Sequence, residues 1–330
     1  MDWFHYTTMD RQTPPHPIAE VIAARVLQEL TDMAREIDIP LTASPFKEIR
    51  AEAEFCLDMI TSHLNERKLL PAAIAGPGEE AGRIERGKTA RIGFYPVCAD
   101  PFHWAHLLIG LSAIARFKLD RVIYLIAGND ARKPEMTPPA ARHAMGRSIL
   151  GMFSPLFDYS AAALEGDLDG ETSLFKALAS LHTQKINAFY IAGSDHSRRI
   201  DPETGEPDTV QKLEDLVREG AYGFGSAAHR VSMIFVKRGR AECNVKTRLG
   251  ISYMPGVPFE ASSTMIRKAL AGEERNEKVA LLPYTAYLYI QALGLYAGKR
   301  RVERQKDQPR PGLDQSTAKI PLWMMSTHSA

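Results

Sequence analysis

Cysteine is scarce in this sequence. The 330 residues contain three, Cys56, Cys98 and Cys243, an odd and scattered set. That excludes a disulfide framework. No CxxC pair is present, which removes the commonest structural zinc site. No apolar run approaches the roughly 20 residues needed to span a bilayer. The opening "MDWFHYTTMDRQTPPHP" has no basic segment leading into an apolar one, so no secretory signal is expected. Neither sign of charge is in excess: 41 Lys and Arg stand against 40 Asp and Glu, a net charge of +1. The chain as a whole therefore lacks the footprint of a nucleic-acid or membrane binder. Basic residues cluster only in "GKRRVERQKDQPRPG" near the end. No internal repeat is found. These absences favour a reducing, cytoplasmic setting.

What is present is the composition of a globular protein, 45% hydrophobic and 25% charged. Its length admits one large α/β domain plus an appendage. Residues 1–16 read as irregular. Apolar residues then recur at helical spacing from Ile18 to about Ile37, and again from about Phe46 to Glu66. Residues 71–89, rich in Gly, Ala and charge, read as a linker. The expected division is a helical N-terminal extension with linker over 1–89, a main domain over 90–297, and a polar tail over 298–330. In the main domain the texture changes. "ARIGFYP", "RVIYLIAG", "INAFYIAGSD" and "RVSMIFVKRG" read as buried strands, and helical segments alternate with them. That alternation predicts an α/β fold, a Rossmann-like doubly wound parallel sheet covered on both faces.

In such sheets ligands bind beyond the carboxyl ends of the strands, so the segment after each strand is informative. After the first comes "GFYPVCADPFHWAH". Gly93 and Pro96 suggest a tight turn that admits close backbone approach. His103 and His106 stand at the entry to a helix. Three readings are open for them. One caps the helix while the other is a surface residue; or both ligate zinc with Cys98 or Asp100; or both donate to phosphate at a helix N-terminus. After the second strand, Lys133 and Arg142 are candidate phosphate cations. After the third, Asp195 is placed to accept ribose hydroxyls, or to cap a turn. In "EASSTMIRKAL", Ser262, Ser263 and Thr264 open a helix, and Arg267 lies one turn on, on nearly the same face. Hydroxyls, free N–H groups and a guanidinium suit a polyphosphate. An ordinary Ser/Thr cap is the bland alternative.

"DPFHWAHL" resembles the HxGH signature of the nucleotidyltransferase superfamily, and "SSTMIR" resembles its second signature, SSTxxR, in the same order along the chain. More narrowly, "GNDARKP…ARHAM", "FYIAGSD" and "LLPYTAYLYIQALGLY" resemble blocks of nicotinate/nicotinamide mononucleotide adenylyltransferases. The resemblance covers about residues 90–297. It implies transfer of AMP from ATP to a pyridine mononucleotide, with release of pyrophosphate, in NAD biosynthesis. His103, His106 and Arg267 would then be catalytic. Gly93, Phe94, Tyr95, Gly193, Asp195, Ser262, Ser263 and Thr264 would line ATP. Lys133, Arg142 and Trp104 would meet the mononucleotide. Mg²⁺ would accompany ATP, with few protein ligands. A homo-oligomer is a further implication, since family members often assemble. Two features depart from the pattern: Ala105 replaces the signature glycine, and the segment before His103 is longer than the usual Gly-x-Phe-x-Pro turn. Two alternatives remain, a nucleotidyltransferase using another phosphate acceptor and a nucleotide-binding regulatory protein without turnover. Class I aminoacyl-tRNA synthetases share the histidine signature, but no KMSKS loop is found.

Overall fold

The structure is a computed structural model. It describes residues 14–71, 89–129, 133, 135–164, 168–181, 185–197, 200, 205, 207–224, 229–237, 245–272 and 276–296. The expected tail and all but the ends of the expected linker lie outside the described residues.

Two helices come first, α1 (Pro17–Glu36) and α2 (Phe46–Asn65). Pro17 at the first position of α1 needs no N–H partner, and the His16 side chain accepts from the Ile18 N–H. Ile22, Val26, Leu30 and Met33, at steps of three and four, turn one face inward. The sheet comes next, with its crossover helices: β1 (Ala90–Val97), α3 (Trp104–Phe117), β2 (Arg121–Ile126), α4 (Pro139–Gly151), β3 (Phe157–Ser160), α5 (Gly170–Ser180), β4 (Ile186–Gly193), α6 (Thr209–Glu219), β5 (Arg230–Val236) and β6 (Gly250–Met254). The chain continues through α7 (Ser263–Leu270) and α8 (Tyr284–Leu293).

The six strands lie in the order β3-β2-β1-β4-β5-β6, and every pairing is parallel. This is the doubly wound Rossmann order, with its switch point between β1 and β4. Both faces are buried, so successive residues of β1 feed different layers. Ile92 and Phe94 pack with α5 and α6. Tyr95 and Val97 pack with the other six helices. Burying each large apolar side chain of this kind stabilises the fold by about 1.5–3 kcal/mol.

Four strands were expected, and the described residues form six. β3 is a four-residue strand with only its end residues buried. β6 is an edge strand with one buried residue, Met254. Neither carries the continuous apolar run that marked the other four. α5 opens behind Asp169, which caps it by accepting from the Thr172 N–H at 2.8 Å.

The N-terminal helices are fastened to the sheet layer by polar contacts as well as by the shared core. The Glu29 carboxylate of α1 accepts from both the N–H and the hydroxyl of Thr285 in the first turn of α8, at 2.9 and 2.7 Å. Asp120, just before β2, accepts from the Leu70 N–H and from the Arg91 N–H, at 2.9 and 2.8 Å.

Candidate functional site

The register of β1 against β4, carried on from Phe94↔Tyr190, puts Val97 level with Gly193. The segments beyond these two residues therefore flank the switch-point crevice. One carries His103 and His106; the other is the 3-10 turn Ser194–His196, which carries Asp195.

His103 is the N-cap of α3, in extended conformation and 4% exposed. Its backbone N–H donates to His106 Nδ1 at 3.3 Å. The two imidazoles stack, with centroids 3.7 Å apart. Because Nδ1 of His106 accepts, the neutral ring carries its proton on Nε2. The helix cap thus fixes His106 as an Nε2–H donor. The ring is further held by edge contacts with Phe102 and Tyr95, at 5.2 and 6.4 Å between centroids. Tyr124 of β2 donates its hydroxyl to the His106 carbonyl at 3.1 Å. That phenol is fully buried, and desolvation pushes its pKa well above the usual value, so it remains a donor. A Cβ on Gly110 would collide with the Tyr124 hydroxyl, so glycine is required there for the phenol to reach His106.

The start of α7 docks on the turn ahead of these histidines. Ser262 caps α7, accepting from the Met265 N–H at 3.2 Å. The Ser263 hydroxyl donates to the Pro101 carbonyl at 3.1 Å. Arg267 donates through Nη1 to the Asp100 carbonyl at 2.6 Å and through Nη2 to Thr264 Oγ1 at 3.3 Å. The same Nη1 is 3.5 Å from the Asp100 carboxylate. Histidines, serines and arginine, far apart in sequence, thus share one turn.

Other expected site residues are placed differently. Gly93 to Pro96 form no turn: they lie inside β1, which runs to Val97. Gly93 faces packed side chains, and a Cβ there would come within 3.0 Å of Leu119 and Val122. Phe94 is core at 0% exposure and Tyr95 is buried at 6%. The turn begins at Cys98 and passes through Ala99, whose φ of 54° is in the region glycine favours. Trp104 is fully buried in the core. Arg142 is also fully buried, and its guanidinium is committed to backbone carbonyls: Thr137 at 2.8 Å, Cys98 at 2.6 Å, Ala127 at 2.8 Å and Gly128 at 2.5 Å. It ties the loops after β1 and β2 together. Lys133 stands by the same loops, with Nζ 3.4 Å from Cys98 Sγ. Asp195 is half-exposed, 3.7 Å from His196 Nε2. Gly193 closes β4 opposite Val236. Among the described residues no group of three or more His, Cys, Asp or Glu is arranged to hold a metal ion, and no helix is long and apolar enough to cross a membrane.

Sequence reasoning named Asp100 only as an alternative zinc ligand, and it missed Tyr124. Asp100 is buried at 5%, and a buried aspartate between two motif-bearing segments has no periodic signal. Tyr124 is hidden in an apolar strand.

A doubly wound sheet with an HxxH segment after β1, joined to an SSTxxR segment opening a later helix, is the layout of the nucleotidyltransferase superfamily, and the chain resembles that superfamily on both counts. Within it, the chain is similar to nicotinate-nucleotide adenylyltransferases. It is 29% identical over 209 residues to a probable enzyme of that name from Clostridium botulinum, covering 62% of this chain and 98% of the relative. It is 29% identical over 211 residues to another from Thermoanaerobacter sp., covering 62% and 94%. Among solved structures, it matches a Plasmodium falciparum nicotinic acid mononucleotide adenylyltransferase complexed with NaAD at 19% identity and a TM-score of 0.45, over 63% of this chain and 97% of that one. No protein-family model matches the chain.

Proposed function

We propose that the protein transfers AMP from ATP to nicotinate mononucleotide, yielding the dinucleotide and pyrophosphate. The observation that carries this reading is the docking of α7 on the Asp100–Pro101 turn, where Ser263 and Arg267 bond to the backbone just ahead of the histidine pair. Together these groups suit a polyphosphate. The names of the relatives support the choice of acceptor.

In this reading an oxygen of the mononucleotide phosphate attacks the α-phosphorus of ATP in line, and the bond to the β-phosphate oxygen breaks. No covalent enzyme intermediate is needed. The protein positions the reactants and neutralises developing charge. His106 Nε2–H donates to the transferring phosphoryl group, with His103 beside it. Arg267 and the unpaired N–H groups of Ser263 and Thr264 hold the departing pyrophosphate. Asp195 accepts from the adenosine ribose, and Lys133 meets the mononucleotide phosphate. With no cluster of carboxylates among the described residues to claim it, Mg²⁺ would be held mainly by ATP oxygens, whose charge it would neutralise.

Pyrophosphate release is measured with ATP and, separately, nicotinate and nicotinamide mononucleotides. Faster release with nicotinate mononucleotide is expected. Release only with some other phosphate acceptor would move the protein elsewhere in the superfamily. ATP binding without release from any acceptor would make it a regulatory binder.

A further inference from the structure

The turn that carries the histidine pair is held from the far side of the chain. The Asp100 carboxylate is buried, and both its oxygens are occupied. Oδ1 accepts from the Tyr296 hydroxyl at 2.5 Å. Oδ2 accepts from the Thr137 N–H at 3.4 Å and faces Arg267 Nη1 at 3.5 Å. The Tyr296 hydroxyl also accepts from Thr137 Oγ1 at 3.0 Å. Tyr296 lies just past α8, where Gly294 at φ 63° has turned the chain. Tyr296 itself has φ 59°, a conformation that is unfavourable for a bulky side chain and persists only where surroundings impose it. Burial and the neighbouring carboxylate raise its pKa above the ordinary tyrosine value, which keeps the hydroxyl a donor.

We propose that Tyr296 is a positioning residue for Arg267, acting through Asp100. This rests on the adenylyl-transfer reading and adds a residue to it. A carboxylate beside the guanidinium is a rival of the ATP phosphates. With the Tyr296 hydroxyl on Oδ1 and the Thr137 N–H on Oδ2, Asp100 is held in one orientation and its charge is shared among donors. It then aims Nη1 without capturing the whole fork, and Nη2, which gives one N–H to Thr264, keeps its other N–H for a phosphate oxygen. Without the hydroxyl, Asp100 rotates and pulls the guanidinium off line. The effect falls on ATP and leaves the mononucleotide side alone, because none of these contacts involves Lys133.

The test is Tyr296→Phe, assayed beside the unaltered protein, Asp100→Asn and the double variant. Tyr296→Phe is expected to lower kcat/KM for ATP roughly tenfold or more, the size of losing a hydrogen bond to a charged group. The KM for the mononucleotide should not move. The double variant should be no worse than the poorer single one, since both changes act on one contact. Wild-type kcat/KM for ATP in Tyr296→Phe, or losses that multiply in the double variant, would overturn the proposal. If Tyr296→Phe fails to fold, Thr137→Val, which removes the hydroxyl that holds Tyr296, should show the same ATP-selective loss, and its absence is equally fatal. ATP calorimetry separates this proposal from the reading beneath it. Should the unaltered protein release no pyrophosphate, that reading fails. Weaker ATP binding by Tyr296→Phe still supports the positioning role, and equal binding overturns it.

Discussion

Ser263 reaches back 162 residues to donate its hydroxyl to the Pro101 carbonyl, 3.1 Å away. The bond joins the start of α7 to the turn ahead of α3, and Arg267 makes a second tie from the same helix to Asp100. Two helix N-termini are thus brought to one place beyond the carboxyl end of β1. Each presents the positive end of a helix dipole. Neither terminus would be selective alone. Together, with two imidazoles and a guanidinium, they form a surface that suits a chain of phosphates better than a single anion.

His106 is the group on which turnover should depend most. Its Nδ1 accepts from the His103 N–H, which puts the proton of the neutral ring on Nε2. His106→Ala is expected to lower kcat by roughly 10²–10⁴, the range for removing a positioned donor or acid. Its folding should be almost intact, with about 1 kcal/mol lost from the helix start. Single-turnover kinetics alongside urea unfolding would check both. Turnover near wild type would remove His106 from the mechanism.

The order of strands and helices was largely legible, because apolar runs of six to eight residues such as β2 and β4 have few alternatives to a buried parallel strand. The limits were local. "GFYP" looks like a turn because Gly and Pro punctuate it, yet Gly93 serves packing against Leu119 and Val122. Pro96 is tolerated within β1, and the sharp bend is made by Ala99 at positive φ, a residue that carries no turn signal. His103, His106, Ser263 and Arg267 were legible as motif members. Asp100 was read only as a possible zinc ligand and Tyr296 was given no role, since the bond between them depends on how α8 ends against the β1 loop, which no local pattern encodes.

Arg142 was expected at the mononucleotide, and its geometry supports a different test. Four backbone carbonyls from two loops converge on one buried guanidinium. Burial pushes its pKa below the usual arginine value, while the negative Asp100 opposes that shift. Arg142→Met should destabilise the fold by about 3 kcal/mol or more, since several buried acceptors lose their donor at once. Arg142→Lys should recover little, because an ammonium cannot span a planar fork. Denaturant unfolding measures this. A variant of wild-type stability whose only defect is a raised KM for the mononucleotide would restore the ligand-binding role instead.

Glu29 offers a pH-dependent reading of how the N-terminal helices are attached. Burial pushes its carboxyl above the ordinary 4.5, and the hydrogen bonds from Thr285 oppose that shift without cancelling it. The folded state therefore binds this proton more tightly than the unfolded chain. The side chain's contribution to stability is fully present below pH 4.5 and is lost as pH rises through the raised folded value. Glu29→Gln keeps an acceptor for Thr285 but cannot ionise, so its stability should not decline across that window. The stability of the unaltered protein relative to Glu29→Gln should fall as pH rises from 4.5 through the raised folded value, as read from urea midpoints at a series of pH values. Glu29→Ala, which leaves the first turn of α8 without its acceptor, should cost about 0.5–2 kcal/mol, as loss of a helix cap does. A difference between the unaltered protein and Glu29→Gln that stays flat with pH would mean that the carboxylate is solvated and that the apolar faces of α1 and α2 alone hold the helices to the sheet.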